Sequence, residues 1–408
     1  SSNLNNKSNA NINNNGTINS KKNSTFQNDG TFTNKSGNET MRGILNLFGL
    51  IKNNSVVSNL GKIDIKADQG LFENYLTVTN DSIIISAGTY KNFKLATTTN
   101  NHYILNNNLI RNYGIVTNTK TVRNLSGTIE NYNSFNNTAT GSITNKSTFI
   151  NKGLSPTNSD NITMTGILPT IENTGNYINE SGTLTNYGKI NNNVETGVLT
   201  NALTIVNETT GVINNHNSIT NTGTITNKKD IFNKANGIIN NDLTFTNNNT
   251  GTITLEASSI YNNRSNSVLN NTGIINNNYS SVYNNKANST LNNNTAGTYN
   301  NNGLTKIEFN STFNNKADYN NLLNNNDSSV LNILGTLNNN KDNTDIGVIV
   351  NNSLIYFNRD GANLGTLNNN SQVTNNKYIL NNSLVNNNAN GVITNNDLLR
   401  VGSTGSMN

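Results

Sequence analysis

The chain has 408 residues, a net charge of +5 with only 12% charged residues, and neither cysteine nor tryptophan. Absence of cysteine excludes disulfides, thiol chemistry and thiolate metal sites. The lysines and arginines are scattered, with only Lys21-Lys22 and Lys228-Lys229 adjacent, so there is no basic stripe for nucleic acid. No apolar run approaches a membrane span, the longest being the broken stretch Gly43 to Ile51.

From the start of the chain a short phrase recurs every six to nine residues: an apolar residue, any residue, then asparagine. It appears as Leu4/Asn6, Ile12/Asn14, Phe26/Asn28 and Phe32/Asn34, and still runs at Val373/Asn375 and Ile393/Asn395. Asparagine fills roughly a quarter of the chain and outnumbers lysine about fivefold, which base-composition drift does not explain because the two share similar codons. Disorder is disfavoured, since disordered chains lack periodic apolar positions and carry higher net charge. Self-similarity at a short fixed interval is the mark of a stacked architecture.

Residues two apart in a strand share a face, so the apolar residue and its asparagine point inward and the residue between them points to solvent. Strands of four or five residues, bounded by Asn, Gly, Ser or Asp, cannot bury a core alone and must stack on copies of themselves. The inward residues expected on this reading are Ile129, Ile143, Leu184, Leu199, Ile213, Ile225, Ile239, Val268, Val282, Phe313, Val373 and Ile393. An amide both donates and accepts, so asparagines stacked at about 4.8 Å can bond up and down a column as a ladder. The expected ladder residues are Asn131, Asn145, Asn186, Asn201, Asn215, Asn227, Asn241, Asn270, Asn284, Asn301, Asn315, Asn375 and Asn395. Spacings leave two cross-sections open. Ile129 to Ile143 suggests a fourteen-residue, two-strand coil; Ile213, Ile219, Ile225, Ile231 and Ile239 suggest three strands in about twenty residues, the form preferred here because a two-sided coil has little interior. The fold expected is an all-β, parallel β-helix.

Residues 1–40 form Asn-rich coils, and 116–401 the main solenoid. Residues 41–115 depart from the phrase, with ordinary alternation in Lys62 to Lys66, Tyr75 to Thr79 and Ser82 to Ser86, and are expected to be strands still, as a less repetitive β segment of wider coils or as a lateral insertion. Met41 to Ile51 would be a cap or a short helix, the helix disfavoured by Gly43 and Gly49. Both prolines, Pro156 and Pro169, fall in a loop near 155–173, and 402–408 reads as a flexible tail.

Phrases such as Gly223-Thr-Ile-Thr-Asn227 and Gly182-Thr-Leu-Thr-Asn186 resemble the repeats of filamentous-haemagglutinin-type adhesins and autotransporter passenger domains. The resemblance covers about two-thirds of the chain and is periodic and compositional. It implies an extended right-handed parallel β-helix at a bacterial surface. No secretion domain, sorting signal or membrane-anchoring barrel of such families is recognisable.

Enzymatic chemistry finds no constellation. A glycosidase needs paired carboxylates, and the nearest cluster, Asp64, Asp68 and Glu73, is interspersed with Lys62 and Lys66 and reads as solvated surface. His102 and His216 stand alone, and no cofactor or metal is implied. Thr-x-Thr pairs at Thr31/Thr33, Thr183/Thr185, Thr224/Thr226, Thr244/Thr246 and Thr252/Thr254 raise ice binding, but Ile239, one coil after Ile225 on the fourteen-residue period, lacks the pair, so the pairs read as strand propensity. Sequons such as Asn38-Glu-Thr40 arise by chance at this composition.

The phrase runs from Leu4 to Ile393 without an evident cap, and an uncovered terminal turn offers backbone groups to another copy. The function expected is therefore a non-enzymatic, secreted structural subunit that polymerises head to tail, its partner being itself. The alternative is a monomeric adhesin rod binding surface glycans. Either places the chain outside the cell or at its surface, and the Ser1-Ser2-Asn3 start fits a processed product.

Overall fold

The computed structural model describes residues 3–35, 43–152, 169–193, 196–294, 296–316, 322–326, 328–342, 345–360 and 363–408. They fall into two units, Ser1–Ile205 and Val206–Asn408. In each unit, four-residue strands wind through three parallel sheets, so that every third strand stacks on the one a turn before it. The three-sided parallel β-solenoid expected from the spacing is what forms. The two-strand coil is excluded: Ile129 pairs with Phe149, not with Ile143.

In the first unit the first sheet carries the inward column Phe26, Ile51, Phe72, Tyr90, Ile110, Ile129, Phe149 and Leu184. The second sheet carries Phe32, Val57, Val78, Thr98, Val116, Phe135, Ile171 and Ile190, and the third Leu45, Ile63, Ile84, Ile104, Val122, Ile143, Tyr177 and Leu199. In the second unit the first sheet runs Ile225, Phe245, Leu269, Leu291, Phe313 and Leu337, with Ile213 and Ile231 opening the second sheet and Ile219 and Ile239 the third. Turn stacks on turn in register, so each apolar side chain meets its like above and below and is excluded from water.

The two anchor spacings have distinct corner chemistry. Six apart, two residues make the corner. Eight apart, four residues do, and in many of these corners the third takes left-handed backbone, as at Asn9, Asn23, Asn236 and Asn266. In these longer corners the fourth residue's N–H donates to the first carbonyl, at 3.0 Å for Ala10 to Lys7 and 2.8 Å for Gly237 to Lys234. Three short corners give the 18-residue turn from Asn74 to Asn92; three long ones give the 24-residue turn from Asn247 to Asn271. The glycine that opens many phrases lies against the carbonyl of the turn before: a Cβ on Gly273 would stand 2.2 Å from the Gly251 oxygen, so a side chain cannot enter there.

Residues 43–115 depart from the expectation of an insertion. Leu45 stacks on Ile63 and Ile63 on Ile84 within the same third sheet, and Ile44–Leu47 and Leu50–Asn53 are strands, not a helix. The stretch looked different because Leu47, Ile65 and Ser86 fill the corner position that asparagine holds in most other strands. The expected tail also differs: Ser406–Met407 pairs with Leu384 and Val385 of the first sheet. Met41, Pro156 and most of the loop near 155–173 lie outside the described residues; Thr170–Asn173 is already strand.

Candidate functional surface

The corner asparagine is the repeating chemical unit. Asn247 is fully buried, and its Nδ2 donates 2.7 Å to Oδ1 of Asn271 one turn on and 3.1 Å to the carbonyl of Ile274, while its Oδ1 accepts from Asn227 at 2.7 Å. The second N–H therefore fixes which way the amide faces, because only NH₂ can serve the carbonyl of the following turn. The same arrangement repeats at Asn34, Asn112, Asn145 and Asn325, always with the donor pointing to the later turn.

Of the expected ladder residues, Asn131, Asn145, Asn186, Asn201, Asn215, Asn227, Asn241, Asn301, Asn315 and Asn375 occupy buried corners. Asn395, in the last turn of the second sheet, accepts from Asn375 at 2.6 Å but is exposed. Asn270 and Asn284 do not stand in the buried column; Asn271 and Asn285 do. Their strands, Val-Leu-Asn-Asn and Val-Tyr-Asn-Asn, satisfy the phrase in two registers one residue apart, and a one-residue slip exchanges the faces. The register adopted buries the larger side chain, so Leu269 and Tyr283 point inward and Val268 and Val282 outward. The serine just before each strand marks this register in sequence: buried Ser267 and Ser281 bond Oδ1 of Asn263 and Asn277. Ile129, Ile143, Leu184, Leu199, Ile213, Ile225, Ile239, Phe313 and Val373 are core, and Ile393 is half-buried in the last turn.

The displaced asparagines form a second ladder on the outside. On the first sheet of the second unit, Asn292 donates to Asn270, Asn314 to Asn292, Asn338 to Asn314 and Asn368 to Asn338, all at 2.8 to 2.9 Å. These donors point to the earlier turn, opposite to the buried column beside them. Sequence reasoning missed this ladder; the Asn-Asn doublet was its signal.

Charge concentrates elsewhere. On the first sheet of the first unit, Glu130 is held by Arg111 at 2.7 Å and Lys152 at 3.0 Å. Burial pushes the Glu130 carboxyl up, but hydrogen bonds and charge from Lys152 and Arg111 outweigh it and hold it below the usual range. Asp64 follows the same balance between Lys62 and Lys66 on the third sheet, whereas Glu73, on the first, accepts from the Tyr75 hydroxyl at 3.0 Å. The expected acidic cluster is thus divided between sheets. Beside the Glu130 cluster runs a corner stack of aromatic rings, Tyr75 on Phe93 at 4.2 Å and Tyr113 on Tyr132 at 4.6 Å. His102 and His216 lie at bends.

Among the described residues the interior is tightly filled. A void of about 10 Å³ lies among Ile84, Tyr90, Thr98, Ile104 and Val116. An open groove of about 420 Å³ crosses the outer side of the third sheet between Leu354, Tyr356, Leu380, Asn382 and Arg400. Among the described residues no group of three His, Asp or Glu side chains could hold a metal ion, and no helix is long and apolar enough to cross a membrane.

No family model matches the chain, and no curated protein matches it. Among solved structures it is similar to a TibC-catalysed hyper-glycosylated TibA fragment, 11% identical, with a TM-score of 0.20 over 100% of both chains. At that score neither fold nor function is taken from the likeness, and the fold stands on the hydrogen-bond register above.

Proposed function

We propose that this chain is a non-enzymatic structural element of the cell exterior, whose solenoids join head to tail into a filament or sheath. The observation that supports this reading is the polarity of every turn. Whichever turn is taken, one edge presents Asn Nδ2 donors and the backbone groups of a parallel sheet, and the other edge presents the Oδ1 acceptors that fit them. A contact between two such edges is heterologous, so it propagates instead of closing. Ion-paired outer carboxylates and the packed interior support a mechanical role over a catalytic one.

Negative-stain electron microscopy of the purified chain across a concentration series tests this. Long unbranched fibres are expected, and the paired substitutions Ile393→Lys and Leu399→Lys, which place charge on one edge, should shorten them. Single particles at every concentration would overturn head-to-tail assembly and return the adhesin reading, to be tested on a glycan array.

A further inference from the structure

The threonine pairs that the fourteen-residue period separates are brought together by the true turn. Thr224 pairs with Thr244 and Thr226 with Thr246 on successive turns of the first sheet. From there the outward positions run Val268 and Asn270, Thr290 and Asn292, Thr312 and Asn314, Thr336 and Asn338, Thr366 and Asn368. The expectation against recurrence is corrected for one step: Ile225 stacks on Phe245, not on Ile239, so the pair Thr224/Thr226 is followed by Thr244/Thr246, after which asparagine takes the second outward position.

We propose that this face binds ice. Three features of the face support it. First, it is a two-dimensional lattice: register is kept residue for residue, so equivalent atoms repeat about 4.8 Å along each column and the two columns lie about 6.6 Å apart, two residues of strand rise. Those repeats approximate the separations of oxygens on a surface of hexagonal ice. Second, its groups are held still. Threonine is stiff at χ1 because it is β-branched, and each asparagine amide is tied to its neighbour in one sense, which leaves a regular outward set of N–H and oxygen sites. Water bound between methyls and amides on such a lattice takes the lattice's order. Third, the paired outward positions, from Thr224 and Thr226 to Thr366 and Asn368, carry no charge; Lys316, Lys341 and Asp342 lie in the extensions of two of these strands beyond Asn315 and Asn339, outside the two columns, so no ion's hydration shell falls between the columns. The corresponding face of the first unit presents Lys52, Glu73, Lys91, Arg111 and Glu130 on successive turns, and the third sheet of the second unit presents Lys306 and Arg400. Neither could act this way.

The experiment uses the full chain in a nanolitre osmometer and an ice-recrystallisation assay. Faceted crystals and inhibited recrystallisation are expected. The pair Thr312→Tyr and Thr336→Tyr, which keeps strand propensity but breaks the lattice, should raise the concentration needed at least tenfold. Thr254→Tyr, on the second sheet, should leave it unchanged, with circular dichroism confirming that each variant is folded. An inactive unsubstituted chain overturns the proposal whatever the variants do, as does full activity in the folded double variant. Binding to crystalline cellulose without ice shaping would likewise overturn it and assign the lattice to a polysaccharide. None of these substitutions touches an open edge turn, so fibre formation is read independently.

Discussion

Replacing Asn247 with leucine isolates the worth of one ladder position. The substitution keeps the side chain's approximate volume but removes the 2.7 Å bond accepted from Asn227 and the 2.7 Å bond donated to Asn271. Asn271 Oδ1 is left without its donor, and Asn227 Nδ2 loses its 2.7 Å acceptor and keeps only the longer bonds to the carbonyls of Lys229 and Thr252, both residues being fully buried. An orphaned buried polar group costs about 1–3 kcal/mol, so the pair costs about 2–6 kcal/mol, less roughly 1–2 kcal/mol for the apolar surface leucine buries. A net loss centred on about 2.5 kcal/mol is expected, read as a lowered urea midpoint by far-ultraviolet circular dichroism. Asn314→Ala, which removes the outer-ladder bonds at a half-exposed position, is the control and should cost less than about 1 kcal/mol because water replaces the amide. Asn247→Asp adds a test of charge. The ionised carboxylate cannot donate to Asn271, so its folded pKa rises above the unfolded value of about 3.9. The neutral acid is tolerated below that value, and the destabilisation grows as pH rises. Equal midpoints for Asn247→Leu and Asn314→Ala would refute the ladder as a source of stability.

Further outcomes follow from the same interior. The hydroxyl of Tyr283 is buried without a hydrogen-bond partner, so Tyr283→Phe should raise stability by about 1 kcal/mol, whereas Tyr299→Phe, which loses a 2.8 Å bond to Thr305, should lower it. Glu130→Gln should cost about 1 kcal/mol at neutral pH. Because the Glu130 pKa is depressed in the folded chain, that contribution is present above about 4.3, the unfolded value, and fades as pH falls through the folded one; the variant's deficit should disappear with it. Leu95 has a φ of 72° and is 86% exposed, at a left-handed corner position held mostly by Asn or Ser, so Leu95→Asn should stabilise by roughly 0.5–1 kcal/mol, measured by thermal melting.

The sequence made the alternation of inward and outward residues legible because a strand's period is two and the core tolerates no exception. Ile213, Ile225 and Phe313 could be read directly. Val268 and Val282 could not, because a doublet of apolar residues followed by a doublet of asparagines satisfies either register, and the choice is made by stacking on Phe245 and Tyr261 one turn away. Turn length was obscured for a related reason: corners of two and four residues mix freely, so the distance between stacked partners drifts and no single period emerges. The outer threonine and asparagine face depends wholly on that hidden length, and so it was invisible until the turns were aligned.

The separation of stacked partners, 18 residues in the shortest turn and 24 where all three corners are long, also has a bearing on how the polypeptide reaches this state. Each turn leans chiefly on its two neighbours, so the costly event is forming the first pair, and every later turn condenses on a finished template. Folding of this kind can proceed while the chain is still emerging, each arriving segment captured by the turn before it. Pulled from one end in an optical trap, the chain would yield in small increments of one turn at a time, and it would rewind in the same order when the force is relaxed.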